Sequence, residues 1–193
     1  MILLKRDIEK AFKKGKIIFT GDLKKAINPN SINVKLGAKL KTYTPVKIKK
    51  TKYGKRIVKI NNNEVILDCK SNNKVYSIDI PMDGLILDPS IFYLGHTVEK
   101  GGSDFYVPMY EGRSSLARLG LISHFSAGFG DIGFKSQWTL EISVKEPLKV
   151  YPDMDIGQIY FVKGSSKKTN DLYIGKYSNQ SGVQPSKLHE DFY

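Results

Sequence analysis

Cysteine is almost missing from this chain. Cys69 stands alone, which excludes an intrachain disulfide and a thiolate cage for zinc, and predicts a reducing compartment. The three histidines, His96, His124 and His189, show no zinc-ligand spacing. The His-x-Glu and Pro-Cys-x-x-Cys pattern of zinc nucleobase deaminases is missing, and so is a Walker loop. Long apolar runs are lacking too: the opening MILLKRDIEKAFKKG turns charged after four residues. The N-terminus therefore predicts neither a signal peptide nor a membrane span, and a cytoplasmic protein is expected. No repeat and no shift in composition divides the 193 residues, so a single domain over 1–193 is predicted. Acidic side chains are few, 19 against 31 Lys and Arg, leaving a formal charge of +12. Such a charge draws an anionic partner, polymer or small polyphosphate alike.

Much of the excess sits in KLKTYTPVKIKKTKYGKRIVK, where lysines alternate with Val, Ile and Tyr. That interleaving favours the solvated faces of strands, with Lys guarding an edge, over a nucleic-acid footprint. At the N-terminus Leu4, Ile8, Ala11 and Phe12 recur at helical spacing and Gly15 follows, predicting a short amphipathic helix over residues 4–14. Ile32, Val34 and Leu36 alternate with polar residues after an Asn-Pro turn, predicting a strand. The segments VKIKK, RIVKI, EVILD, KVYSIDI, LILDP and DFYVPMY, separated by turn residues, predict further short strands. This spacing argues a mainly β sandwich or barrel with one helical interruption at residues 113–121. From about residue 164 the chain is rich in Gly, Ser, Asn and Lys, which predicts a flexible tail over 164–193.

Three segments have the chemistry of a site. Ser114 and Ser115 open the predicted helix in EGRSSLARLG, with Arg113 before them and Arg118 one turn beyond. Hydroxyls, free N–H groups and guanidinium groups together suit phosphate oxygens; a capped surface helix reads the same. In SAGFGDIGFKSQWTLEIS, Gly128, Gly130 and Gly133 bracket Asp131 in a predicted tight turn that a ligand could approach closely. The following strand alternates, with Trp138, Leu140 and Ile142 on one face and Thr139, Glu141 and Ser143 on the other. A carboxylate in the middle of such a strand is costly unless paired or working, though a solvent-facing Glu141 fits the pattern equally. In GKYSNQSG, Lys176, Tyr177 and Gln180 offer a charge, an aromatic face and an amide to a ligand that the tail could close over.

Together these residues resemble the deoxycytidine triphosphate deaminases, a family related to the trimeric deoxyuridine triphosphatases. The resemblance is carried by EGRSSLARLGLISHFSAGFGDIGFKSQWTLEIS, supported by NPNSINVKLG, FYLGHTVE, MDIGQIYF and KYSNQSGVQPS in family order. It implies a distorted β-barrel or jelly-roll of the dUTPase-like type with a short N-terminal helix and one short internal helix. It also implies a homotrimer with active sites at subunit interfaces and zinc-free deamination of dCTP. Position by position, Glu141 is similar to the base that activates the attacking water. Arg113, Ser114 and Ser115 resemble a triphosphate cradle, with Arg118 at the catalytic site. Ala127 is similar to the backbone that holds the base, and Asp131 to the residue at the deoxyribose. Lys176, Tyr177 and Gln180 belong to the closing tail. Gly128-Phe129 is similar to the members that continue to dUMP and diphosphate, for which Asp131 helps place a second water. Mg²⁺ is expected on the triphosphate, dTTP as an inhibitor, and no nucleic acid or membrane. Enzymes that stop at dUTP, enzymes acting on dUTP alone and a trimeric nucleotide-binding regulator are the rival readings. The chain departs from the family at Asn33, Gly130, Ile132 and Ser136-Gln137.

Overall fold

The computed structural model describes residues 1–61, 63–165 and 171–192; residues 62, 166–170 and 193, most of them in the predicted tail, lie outside it. The chain is mainly β. Helix α1 (Lys5–Lys13) packs Ile8 and Ala11 into the core, as its spacing predicts. Strand β1 (Ile18–Phe19) and a one-turn helix α2 (Leu23–Ala26), capped by Asp22, precede β2 (Ile32–Lys35). The short strands β3 (Lys39–Thr42), β4 (Val46–Thr51), β5 (Gly54–Lys59), β6 (Tyr76–Asp79) and β7 (Leu85–Leu87) follow. The long β8 (Tyr93–Gly102) leads to β9 (Val107–Gly112), helix α3 (Ser114–Ala117) and β10 (Leu121–Ile122). Then come β11 (Lys135–Val144), β12 (Leu148–Val150) and β13 (Asp155–Val162), and a 3₁₀ turn, Leu188–Asp191, ends the described chain.

These strands make a distorted β-barrel of the jelly-roll kind from three sheets, which stay open at their seams. One runs β10-β11-β8-β3-β6 with β1 also on β8, one β12-β7-β5-β4, and one β2-β13-β9. The inner faces meet in one core that includes Val34, Leu36, Leu40, Leu87, Tyr93, Leu140 and Phe161. Tyr93 is fully buried, and its hydroxyl donates to Asp88 O (3.2 Å) and accepts from Asp88 N (2.8 Å), so the ring is buried without an orphaned polar tip.

Three expectations need correction. EVILD, residues 64–68, forms no strand: Val65, Ile66 and Leu67 are exposed, and no neighbouring strand offers that stretch a ladder. The internal helix is a single turn, Ser114–Ala117, rather than residues 113–121, because Gly120 at φ 79° ends it. Arg113 occupies its N-cap position without a side-chain cap, so neither serine caps it. Among the described residues no helix is long and apolar enough to cross a membrane.

Candidate active site

The strand β11 alternates as its sequence predicts. Ser136, Trp138, Leu140, Ile142 and Val144 are buried, while Gln137, Thr139, Glu141 and Ser143 stand half-buried on the other face. Over that second face lies a cavity of about 580 Å³, of ordinary size for a small-molecule site. Ala127, Asp131, Glu141, Tyr177 and Gln180 all line it. Tyr43, Leu67, Phe92 and Trp138 supply apolar wall, suited to the faces of a planar ring.

Glu141 is held through both its main chain and its side chain by the segment 123–125. Its N–H donates to Ser123 O at 3.1 Å, and one of its carboxylate oxygens accepts the Phe125 N–H at 2.9 Å. Its other oxygen takes no hydrogen bond among the described residues. The segment 123–125 is pinned in turn. Tyr110 donates its hydroxyl to Ser123 Oγ at 2.9 Å and lies against the Trp138 ring, with centroids 6.0 Å apart. Burial pushes the Tyr110 phenol well above its usual range, so it stays a donor at any physiological pH.

The glycines around Asp131 have a reason other than the ligand approach that their sequence suggests. A Cβ on Gly130 would stand 2.6 Å from the Trp138 ring and 2.9 Å from Pro108 O. The close approach there is therefore by the protein's own core. Gly133 sits at φ 102° and turns the chain into β11, leaving the Asp131 side chain exposed at the cavity.

The described part of the tail lies along β11. Tyr173 N donates to Ile132 O (2.8 Å), Gln180 Nε2 to Gln137 O (2.7 Å), Gln184 N to Thr139 Oγ1 (3.3 Å) and Ser186 N to the Tyr43 hydroxyl (3.1 Å). The Gln137 side chain accepts from Gly182 N at 2.6 Å and Ser181 Oγ at 3.2 Å, and donates to Val98 O at 2.8 Å. Val183, within the strap, is buried. Gln137, Thr139, Tyr43 and Phe92 were not among the residues singled out for the site. The face that Gln137 and Thr139 share with Glu141 is the signal that marks those two, whereas Tyr43 and Phe92 carry no local signal.

The remaining candidates do not line this cavity. Arg113 pairs with Asp155 at 2.9 Å, and Asn33 also donates to that carboxylate at 3.3 Å. Ser114, Ser115 and Arg118 are exposed on and just after α3, which follows β9 of a different sheet. Lys176 turns to Asp191, whose carboxylate raises the lysine above its usual range.

An open β-barrel with an aromatic-walled cavity, a tethered carboxylate on its floor and a strap across it defines a mainly β protein with a cavity of small-molecule size on this face. Residues 2–164 match the family model described as dCTP deaminase-like, and the chain belongs to that family. It is 42% identical over 194 residues to a Clostridium acetobutylicum protein, and 45% identical over 195 residues to one from Clostridium beijerinckii. Each alignment covers 100% of this chain and 99% of the relative, and both relatives bear the name dCTP deaminase, dUMP-forming. In fold the chain is similar to the crystal structure of 2′-deoxycytidine 5′-triphosphate deaminase from Agrobacterium tumefaciens, with a TM-score of 0.59 at 18% identity. That likeness covers 84% of this chain and 48% of the solved one, so the chain spans about half the length of that neighbour.

Proposed function

We propose that this protein hydrolyses dCTP to dUTP and ammonia without zinc, and carries the nucleotide on to dUMP and diphosphate. The observation that carries the reading is Glu141. Its carboxylate is fixed by the Phe125 N–H, with one oxygen without a partner among the described residues, on the floor of a cavity walled for a planar ring. Glu141 takes a proton from water as the oxygen adds to C4 of cytosine, and returns it to the nitrogen as the C4–N bond breaks and ammonia leaves. A positioned base contributes about 10²–10⁴-fold, so orientation and electrostatic stabilisation of the tetrahedral intermediate supply the rest. Ala127 offers backbone groups to the base, Asp131 meets the deoxyribose, and Tyr177 and Gln180 close the strap over the bound ring.

In the second step water adds to the α-phosphorus and diphosphate leaves, with Asp131 helping to place that water. The names of the Clostridium relatives and the Gly128-Phe129 pair support this continuation. Mg²⁺ carried in on the triphosphate would supply neutralisation of the charge on the leaving diphosphate, with no residue of this chain required to ligate it directly.

Arg113, Ser114, Ser115 and Arg118 stand outside the cavity of their own subunit, and a homotrimer accounts for that. In a closed three-fold ring each subunit presents α3 to a neighbour's cavity, so the phosphate cradle comes from one chain and Glu141 from the next. The test is incubation with dCTP and Mg²⁺, following ammonia and separating the nucleotides, with Glu141→Gln as control. Ammonia with dUMP and diphosphate is expected. Accumulating dUTP would make the protein a deaminase alone, and no ammonia under conditions where dCTP binds would overturn the reading.

A further inference from the structure

The whole net charge of the chain lies in one stretch. Residues 23–63 hold 12 Lys and Arg and no Asp or Glu, so the rest of the chain is neutral. Seven of these cations fall on β4, β5 and the turn between them. Lys55 pairs with Asp83 and Arg56 with Asp88, whereas Lys47, Lys49, Lys50, Lys52 and Lys59 make no ion pair among the described residues.

The pairing of the strands puts Lys50, Lys55 and Lys59 on the face of buried Ile57 and lines up Lys47, Lys49, Arg56 and Lys149 on the other. Lys149 of β12 lies opposite Ile86, Ile86 beside Arg56, and Arg56 opposite Lys49. With neighbouring strands about 4.8 Å apart, this row crosses the four-stranded sheet in about 14 Å. A cleft of about 660 Å³ opens along it, lined by Lys52, Tyr53, Arg56, Ile86, Pro147 and Lys149 among others, and it shares no lining residue with the candidate active site. Gly84 makes room for one wall: a Cβ there would stand 2.8 Å from Lys149 Cε and 2.7 Å from the Tyr151 ring. Although Asp88 takes one guanidinium nitrogen, Arg56 Nε is buried without a partner among the described residues. Tyr53 at the turn is 72% exposed, with Lys52 Nζ 5.0 Å from its ring centroid.

We propose that this cleft and the edge strand β4 bind a single-stranded nucleic acid, with phosphates on Lys49, Lys52, Arg56 and Lys149 and an unpaired base stacked on Tyr53. A cationic groove beside an exposed aromatic ring is what strand binding without base readout requires. A free triphosphate would use only part of the row, which continues along β4 to Lys47, about 6.8 Å beyond Lys49. A duplex keeps its bases paired and leaves Tyr53 without a stacking partner.

The test is fluorescence anisotropy of a labelled oligothymidylate against the full-length protein between about 50 and 200 mM KCl. Four phosphate contacts predict a slope of log Kobs on log salt near about −2.8, falling to about −1.4 in Lys52→Ala/Lys149→Ala. Tyr53→Ala weakens binding by about 5- to 150-fold while Tyr53→Phe retains it. Circular dichroism of each variant matches wild type, since Lys52 and Tyr53 are exposed and Lys149 half-buried. Absent binding, or the same slope and affinity in all variants, overturns the proposal. So does complete displacement by equimolar tripolyphosphate, which assigns the cleft to a small polyphosphate. Equal binding of a duplex, insensitive to Tyr53, overturns it as well.

Discussion

Removing the Gln137 side chain should loosen the strap without unfolding the barrel. Its Oε1 accepts two hydrogen bonds from the tail, from Gly182 N at 2.6 Å and Ser181 Oγ at 3.2 Å. At about 0.5–1.5 kcal/mol net for each bond, Gln137→Ala costs the closed tail about 1–3 kcal/mol. The ratio of closed to open strap then falls by about 5- to 150-fold. The anchors at Tyr173, Gln184 and Ser186 remain, as does the bond from Gln180 to the Gln137 main-chain carbonyl. The variant should therefore open more often rather than lose its tail. Native-state hydrogen exchange at the Gly182 amide should accelerate by that factor, trypsin should cut sooner after Lys176 and Lys187, and KM for nucleotide should rise. Gln137→Glu keeps the acceptor for the tail but sets a carboxylate oxygen against Val98 O in place of the amide donor, so it should keep only part of the protection. Unchanged exchange at Gly182 in Gln137→Ala would refute the assignment of Gln137 as the anchor.

Glu141→Gln keeps the size of the side chain and should lower kcat by about 10²–10⁴-fold while KM changes little; a large KM change with kcat intact would make Glu141 a binding group. Mixing Glu141→Gln with Arg118→Ala protein, after dissociation and reassociation, should restore about a quarter of wild-type activity if each site draws these residues from different subunits. Mixtures as inactive as their components would place both residues in one subunit's site. Glu99 is buried, and burial pushes its carboxyl above the usual range despite the bond from Lys35 N at 2.9 Å. The folded state thus favours the protonated form, and stability contributed by this group is lost as pH rises through the raised value. Glu99→Gln should unfold at higher urea than wild type at pH 8, and the difference should vanish below the ordinary glutamate value of 4.5.

How far local pattern reaches is clear from particular elements. The periodicity of Ile8 and Ala11 and the alternation along β11 survive intact, because a helix or strand with one buried face has to carry its apolar residues at that element's own period. The same criterion misleads at EVILD, since a run of β-formers becomes a strand only where a neighbour can complete its ladder. Glu141 is legible as a carboxylate out of place in a strand. Its tether to Phe125 is not, because that bond joins residues 16 positions apart through a turn whose course the core decides.

Residue order along the chain therefore settles what each segment can offer: hydroxyls and guanidinium groups at Arg113 to Arg118, a carboxylate within a strand at Glu141, and a cationic stretch over residues 23–63. Three-dimensional packing decides which offers meet. It lays the tail over Gln137 and Thr139, turns Arg113 toward Asp155 and away from the cavity, and brings Lys149 into line with Arg56 and Lys49 across four strands. Propensity and side-chain period act over a few neighbouring residues. Strand register, by contrast, joins distant segments through backbone hydrogen bonds, and one residue of slip would send every one of those side chains to the opposite face.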